Sequence, residues 1–379
     1  MSAMNSNVEA QMVAIDITEI YSLVASVGQS RNSAVVGLGL LPLASYVAVE
    51  SYDWLRHSGL TAAEPFLESQ APRIRRQRAR LKLFDGRGGF TSAVRLLQSI
   101  EHTSIALFHS PHPWFLKFLL KRWQNDLGFY YVGDDIICTT HVALVNAGYA
   151  ESDLDDLRGA SLSVFRTELH TFAIEIGAYV GQVLQLLGAE ITNRQPAPVN
   201  IWIEAEDHRS TRVYPRIDER LGLPAGSLAA PLTWLVSQVN YVHRALRVFC
   251  HPDSDLYLRY RFLVTYHALR GIRVIESVLG SNRTSEVGRI AAQVMARPGA
   301  RRLRKLGKFR NAIAHYTIED IRIWDGLSDP MNQLAMQLAQ LDRAELNNLL
   351  DEELEAISAA FRDILRKTTL GGVPGRISS

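Results

Sequence analysis

Apolar residues spaced three and four apart along most of the chain constrain its fold more than any other feature. Between Leu162 and Leu187 they fall at Leu162, Phe165, Leu169, Phe172, Ile176, Val180, Val183 and Leu187, which lines one face of a helix. Leu350, Leu354, Ile357, Phe361, Ile364 and Leu365 repeat the pattern near the C-terminus. Alternating strand patterns are rare. The one candidate is Val199–Glu206, V-N-I-W-I-E-A-E, which follows the helix-breaking Pro196-Ala197-Pro198. A mostly α fold is expected. With 47% apolar and 21% charged residues, a chain of 379 residues can bury a large core and hold more than one domain.

Changes of texture suggest the division. Residues 1–193 read as a helical N-terminal domain. Residues 194–227 read as a linker that holds the candidate strand and Pro215, Gly222, Pro224 and Gly226. Residues 228–368 read as a helical bundle and 369–379 as a flexible tail. Within the bundle, a helix from an N-cap at Ser227 to Phe249 is followed by Asp255–Leu279, closed by Gly280. Thr284–Ala296, Ala300–Tyr316 and the last apolar stripe complete it, with a loop around 324–330.

Other function classes are constrained by composition. The net charge is +2, so affinity for nucleic acid requires local clustering of the 41 Lys and Arg. Cys138 and Cys250 make no disulfide framework and fit a reducing, cytoplasmic setting. The first eleven residues lack the basic start of a signal peptide. Ser33–Val49 carries no charge, but it falls short of the about 20 apolar residues that span a bilayer and contains Gly37, Gly39 and Pro42. It reads as a buried core helix with no second run like it, and no stable membrane association is expected. His102, His109 and His112 lie near two prolines without regularly spaced carboxylates, so neither metal nor cofactor is expected. Asp85-Gly86-Arg87-Gly88-Gly89 lacks the Lys-Ser/Thr of a phosphate loop and reads as a turn. The run Arg73, Arg75, Arg76, Arg78, Arg80 and Lys82 reads as an exposed helix face rather than a nucleic-acid surface.

The segment Lys308-Phe309-Arg310-Asn311-Ala312-Ile313-Ala314-His315-Tyr316 holds residue types suited to cutting RNA without metal. That chemistry needs a base for the 2′-hydroxyl, a cation for the phosphate and an acid for the leaving 5′-oxygen. Histidine titrates near neutrality, and arginine grips phosphate with a fixed charge. Asn311 and His315, four apart, share a helix face. Arg310 and His315, five apart, diverge, so one helix does not converge both on one phosphate. The spacing alone is weak, since Arg261 with His267 and Arg244 with His251 approach it; those pairs read as structural or surface residues.

Arg-Asn-x-x-x-His late in a helical bundle resembles the motif of HEPN-superfamily ribonucleases, and the resemblance covers about residues 228–368. It implies Arg310, His315 and Asn311 as catalytic residues and two motif helices facing each other in a homodimer or higher oligomer. Ala312 and Ala314 would let them approach. It also implies a toxin or anti-phage, abortive-infection effector, with residues 1–193 as sensor or regulator answering to a regulatory partner or phage trigger. Lys308, Lys305, Arg304, Arg301 and Tyr316 are candidate RNA contacts, within a basic approach that includes Arg297 and Arg302. The HEPN toxins that are modified on a Tyr two residues after the His are not matched, because Thr317 stands there. A non-catalytic RNA-binding or dimerisation scaffold is the alternative.

Overall fold

The charge-free run from Ser33 to Val49 becomes part of a helix whose residues are buried from Gly39 to Ser51. The computed structural model describes residues 3–59, 64–82, 86–109, 125–157, 162–188, 199–279, 285–316, 329–366 and 373–374. It is mostly helical. Its N-terminal part contains α1 (Ala3–Gly28), α2 (Ser33–His57), α3 (Glu64–Arg80), α4 (Gly86–His109), β1 (Leu127–Val132), β2 (Asp135–Thr139), α5 (Thr140–Asn146), α6 (Glu151–Leu157) and α7 (Leu162–Leu186). There follow β3 (Glu204–His208), α8 (Ser210–Arg220), α9 (Ala229–Asn240), α10 (Asp255–Leu279), α11 (Glu286–Ala296), α12 (Pro298–Lys305), α13 (Gly307–His315), α14 (Pro330–Leu334), α15 (Arg343–Leu365) and the two-residue β4 (Val373–Pro374).

Segment 194–227, read above as a linker, carries β3 and α8 among its described residues. The small antiparallel sheet has the order β2-β1-β3-β4, so it joins strands from before, within and after that segment. Buried residues from both sides of it, among them Val36, Tyr46, Leu232, Phe262 and Phe309, belong to one hydrophobic cluster. The periodic stripes behave as expected: Phe172, Ile176, Val180 and Val183 are buried on α7, as are Leu350, Leu354, Ile357 and Phe361 on α15.

Helix ends show where tertiary contacts replaced local signals. Ser227 does not cap α9. Asp218 of α8 does so from a distance: its Oδ2 accepts the backbone N–H of Gly226 and Ser227 at 2.7 and 3.0 Å, and its Oδ1 those of Leu228 and Ala229 at 2.9 and 2.8 Å. A side chain that satisfies such orphan donors contributes about 1 kcal/mol or more. Beyond Asn240, a π turn (Tyr241–Ala245) and a 3-10 turn (Leu246–Val248) carry the helix to its expected end. Ser285 caps α11, and Asp342 and Glu345 form a reciprocal capping box on α15. The helix expected over 300–316 is broken at Leu306, where ψ turns to 40°, into α12 and α13. Gly280 and most of the expected 324–330 loop lie outside the described residues.

The arginine run on α3 is solvated only in part: Arg75 is exposed, whereas three others are engaged. Arg73, Arg76 and Arg80 donate to the carbonyls of Ala147, Gly148 and Tyr149 at 2.8, 3.0 and 2.8 Å. They thereby bracket the turn that closes α5, where helix carbonyls lack internal partners. The Arg73 guanidinium also lies 4.3 Å from the Tyr149 ring centre and 4.5 Å from that of Phe172.

Two helices are long and apolar enough to cross a membrane, Val8–Gly28 and Ser33–His57. The second contains the charge-free run read above, and the first corrects the expectation that no second run like it exists. From Gly39 to Ser51 the α2 side chains are buried against protein. A Cβ on Gly39 would run into the Tyr241 ring, whose hydroxyl donates to the Val36 carbonyl at 2.7 Å, whereas a Cβ on Gly37 would meet nothing. Gly39→Ala is therefore expected to destabilise by about 1–3 kcal/mol through overpacking. Gly37→Ala should be neutral or stabilise by about 0.5–1 kcal/mol. Urea unfolding of the two variants checks this, and equal effects would contradict the packing of α2 on Tyr241.

Candidate functional site

The face that α13 leaves open consists of Lys308, Asn311 and His315, three and four apart and all exposed. Its other face is anchored. Phe309, Ala312, Ile313 and Ala314 are buried, and the Tyr46 hydroxyl of α2 donates to the Ile313 carbonyl at 2.7 Å. The small residues Ala312 and Ala314, expected to let a second motif helix approach, are thus used inside the protomer. The residues α13 leaves to solvent are Lys308, Asn311 and His315.

His315 ends α13 with 36% of its side chain exposed. Its Nδ1 lies 3.2 Å from Glu50 Oε2 and 3.1 Å from Arg78 Nη2, and Glu50 and Arg78 form an ion pair with each other. Glu50, the charge that closes the apolar run of α2, is almost wholly buried. One ring nitrogen cannot donate and accept at once, so the two contacts select different tautomers. The tautomer that donates Nδ1–H to Glu50 carries its basic lone pair on Nε2, the form a general base requires. Neither Glu50 nor Arg78 was identified from sequence. In the sequence, Arg78 reads only as one of a basic run.

Arg310 takes another direction. Its guanidinium carbon lies 5.7 Å from the centre of the Tyr266 ring on α10, while its buried Nε has no hydrogen-bond partner among the described residues. Within one protomer the arginine and the histidine of the motif are therefore directed at different neighbours, as the helical geometry predicts.

Tyr316, a candidate RNA contact by sequence, presents no surface to RNA. It is 1% exposed, and its hydroxyl donates to Asp16 Oδ2 at 2.6 Å. It adopts the left-handed conformation, φ 48°, and so terminates α13. For a residue with a Cβ this conformation costs about 1–2 kcal/mol, which the anchored ring and hydroxyl offset. Asp16 is also paired with Arg259, and both are fully buried. Burial pushes the Asp16 carboxyl up to about 7, even against the opposing pull of Arg259 and Tyr316.

The remaining candidates separate clearly. Lys305 and Arg301 are exposed and Arg304 is half-buried. Arg302 donates to the Gln340 carbonyl at 2.8 Å and Arg297 is paired with Glu353 at 3.1 Å, so these two brace α12. Arg261 is buried against Asn347 and Asp351, and His267 packs edge-on to Tyr266. Arg244 pairs with Asp135 at 2.8 Å, and His251 is exposed beside Asp253. Asp135 is held by Arg362 as well, at 2.7 Å. His102 is exposed. The side chains of His109 and His112 lie outside the described residues, and no group of three potential metal ligands occurs among the described ones. A separate cavity of about 30 Å³ between α2, α9 and α10, walled by Pro42, Trp234 and Val264, has room for water rather than for a substrate.

No family model matches the chain, and no curated protein or solved structure is found to be similar to it.

Proposed function

We propose that the protein is a metal-independent endoribonuclease of HEPN type, with His315 as general base, Asn311 beside it and Arg310 as a phosphate-binding cation. The observation that carries this reading is the exposed His315 ring, bonded through Nδ1 to a buried carboxylate, with a guanidinium alongside. An isolated surface histidine needs no such support, whereas a base that must keep one tautomer and one orientation does. The 2′-hydroxyl would lose its proton to His315 and its oxygen would attack phosphorus. The P–O5′ bond breaks, the 5′-oxygen takes a proton, and a 2′,3′-cyclic phosphate and a 5′-hydroxyl remain. In a two-fold dimer a second α13 would bring its own Arg310 and His315 to the same cleft, which answers their divergence within one chain. A cytoplasmic toxin or anti-phage effector, with the N-terminal region as regulator, is the setting this activity would suit.

The direct test is cleavage of single-stranded RNA in EDTA, with analysis of the product ends. Ends other than the cyclic phosphate, or a need for a divalent metal, would overturn the mechanism. Glu50 acts through His315 and is a positioning residue. Glu50→Gln is expected to lower kcat by about 10- to 100-fold, less than the about 10²–10⁴-fold of a removed acid–base group, with KM for RNA little changed. A fall in binding without a fall in kcat would remove Glu50 from that role. The non-catalytic alternative draws on the same divergence of Arg310 and His315. It predicts RNA binding with no cleavage at any protein concentration.

A further inference from the structure

We propose that Arg270 and Arg310, which flank Tyr266, form with the neighbouring Arg273 and Arg304 a phosphate-binding subsite that holds the backbone of single-stranded RNA beside the His315 face. The inference rests on the RNA reading given above and adds to it a substrate-binding surface on a second helix.

Tyr266, Arg270 and Arg273 recur at four and three along α10 and so share one of its faces. That face receives α12 and α13, which both pack on α10. The Arg270 guanidinium carbon lies 5.8 Å from the Tyr266 ring centre and its Nη1 3.4 Å from the Tyr266 hydroxyl, while Arg310 approaches the same ring at 5.7 Å. The break at Leu306 sets this geometry. It lets Gly307 pass the Tyr266 hydroxyl, where even a Cβ would be only 3.7 Å away, and it turns Arg310 toward the ring. Arg304, from the preceding helix, stands near enough to Arg273 and Arg270 for them to disfavour its charge on top of its partial burial, with Glu276 opposing them. Cations from three helices thus converge while the Arg310 Nε lacks a partner among the described residues. Guanidinium groups that repel one another suit a polyanion that offers an oxygen to each.

Phosphate is favoured over the bases as the contacted group. Tyr266 is 4% exposed, so its ring is not available for stacking, and guanidinium groups remain to meet the strand. Binding should therefore be insensitive to sequence and strongly dependent on salt. Because Arg310 precedes Asn311, a strand held here would continue onto the Lys308–Asn311–His315 face.

The test uses the full chain and a fluorescent single-stranded 2′-O-methyl RNA of about 12 nucleotides, within the span of known single-strand sites. Its blocked 2′-oxygen prevents cleavage, so binding is read whether or not the protein is a nuclease. Arg273→Ala/Arg304→Ala should bind about tenfold more weakly near 0.1 M salt, and the slope of log affinity against log salt should fall by about 1.4, two phosphate contacts at about 0.7 each. Arg289→Ala, on an exposed arginine paired with Glu286, should bind as the unsubstituted protein does, and thermal melting should show all three folded. The subsite is overturned if the unsubstituted protein does not bind the probe, if the double variant binds equally well, or if Arg289→Ala loses as much. If binding and its loss are as expected but unblocked RNA is never cut, the subsite stands and the nuclease reading falls.

Discussion

His315→Ala is expected to reduce RNA cleavage in EDTA by about 10²–10⁴-fold, the contribution of a positioned acid–base group, with almost no change in stability. The two halves of that expectation have different physical origins. The activity loss follows from removing the ring whose Nδ1 lies 3.2 Å from Glu50 and whose other nitrogen would take the 2′-hydroxyl proton. The small stability change follows from exposure. His315 lies at the end of its helix with a third of its side chain in solvent, and Glu50 keeps its ion pair with Arg78 when the ring is gone. A loss of that size in an otherwise folded protein should stay within about 1 kcal/mol. Arg310→Ala should also reduce cleavage strongly, but the salt dependence of RNA binding should change only for Arg310→Ala, since only that variant removes a cation from the phosphate path. Cleavage that survives both substitutions would remove the motif from the mechanism. Cleavage lost together with the folded state would make His315 a structural residue, contrary to its exposure.

Much of this arrangement was legible from local pattern, and what was not depended on distant partners. The stripes on α7 and α15 were readable because helical periodicity is a property of neighbouring residues. The divergence of Arg310 and His315 was readable for the same reason. Ser227 was read as a cap because a serine precedes an apolar run. The donors there go to Asp218, whose carboxylate reaches them only once α8 has packed. The arginines of α3 looked solvated because their acceptors are carbonyls some 70 residues later in the chain, for example Ala147 for Arg73. Ala312 and Ala314 looked like an interface between protomers, but small residues serve equally well where α13 lies against its own chain. Glu50 carried one usable signal: a single carboxylate directly after a long uncharged run can enter the core with it only if something pairs with the charge. What pairs with it, Arg78 and His315, could not be chosen from sequence.

Arg259→Met is expected to destabilise the protein by about 3–5 kcal/mol, because it leaves Asp16 buried without its cation. Both side chains are fully buried, and the Arg259 guanidinium also lies 5.0 Å from the Tyr316 ring centre. Burial acts against the Arg259 charge, but Asp16 more than restores it, so the net shift of the guanidinium is upward. The Asp16 carboxyl, ordinarily at 3.8, is raised to about 7 by burial despite Arg259 and Tyr316. Between those two values the folded protein holds a proton that the unfolded chain has released. Stability therefore falls as pH rises through that window, by about 1.4 kcal/mol per unit. In the unsubstituted protein the fall ends near pH 7. Without Arg259 the burial of Asp16 is less opposed, its carboxyl titrates higher still, and the fall continues beyond pH 7. The deficit of Arg259→Met should thus be larger at pH 8 than at pH 6, as measured by urea unfolding at both values. Asp16→Asn/Arg259→Met removes both charges and should recover most of the loss, as replacement of a whole buried pair commonly does. The effect should extend to the candidate site. Tyr316 donates to Asp16 while holding the left-handed turn that follows His315, so a displaced Asp16 would loosen the end of α13. An equal deficit at both pH values, or a double variant no more stable than the single one, would show that Asp16 does not carry this charge in the folded protein.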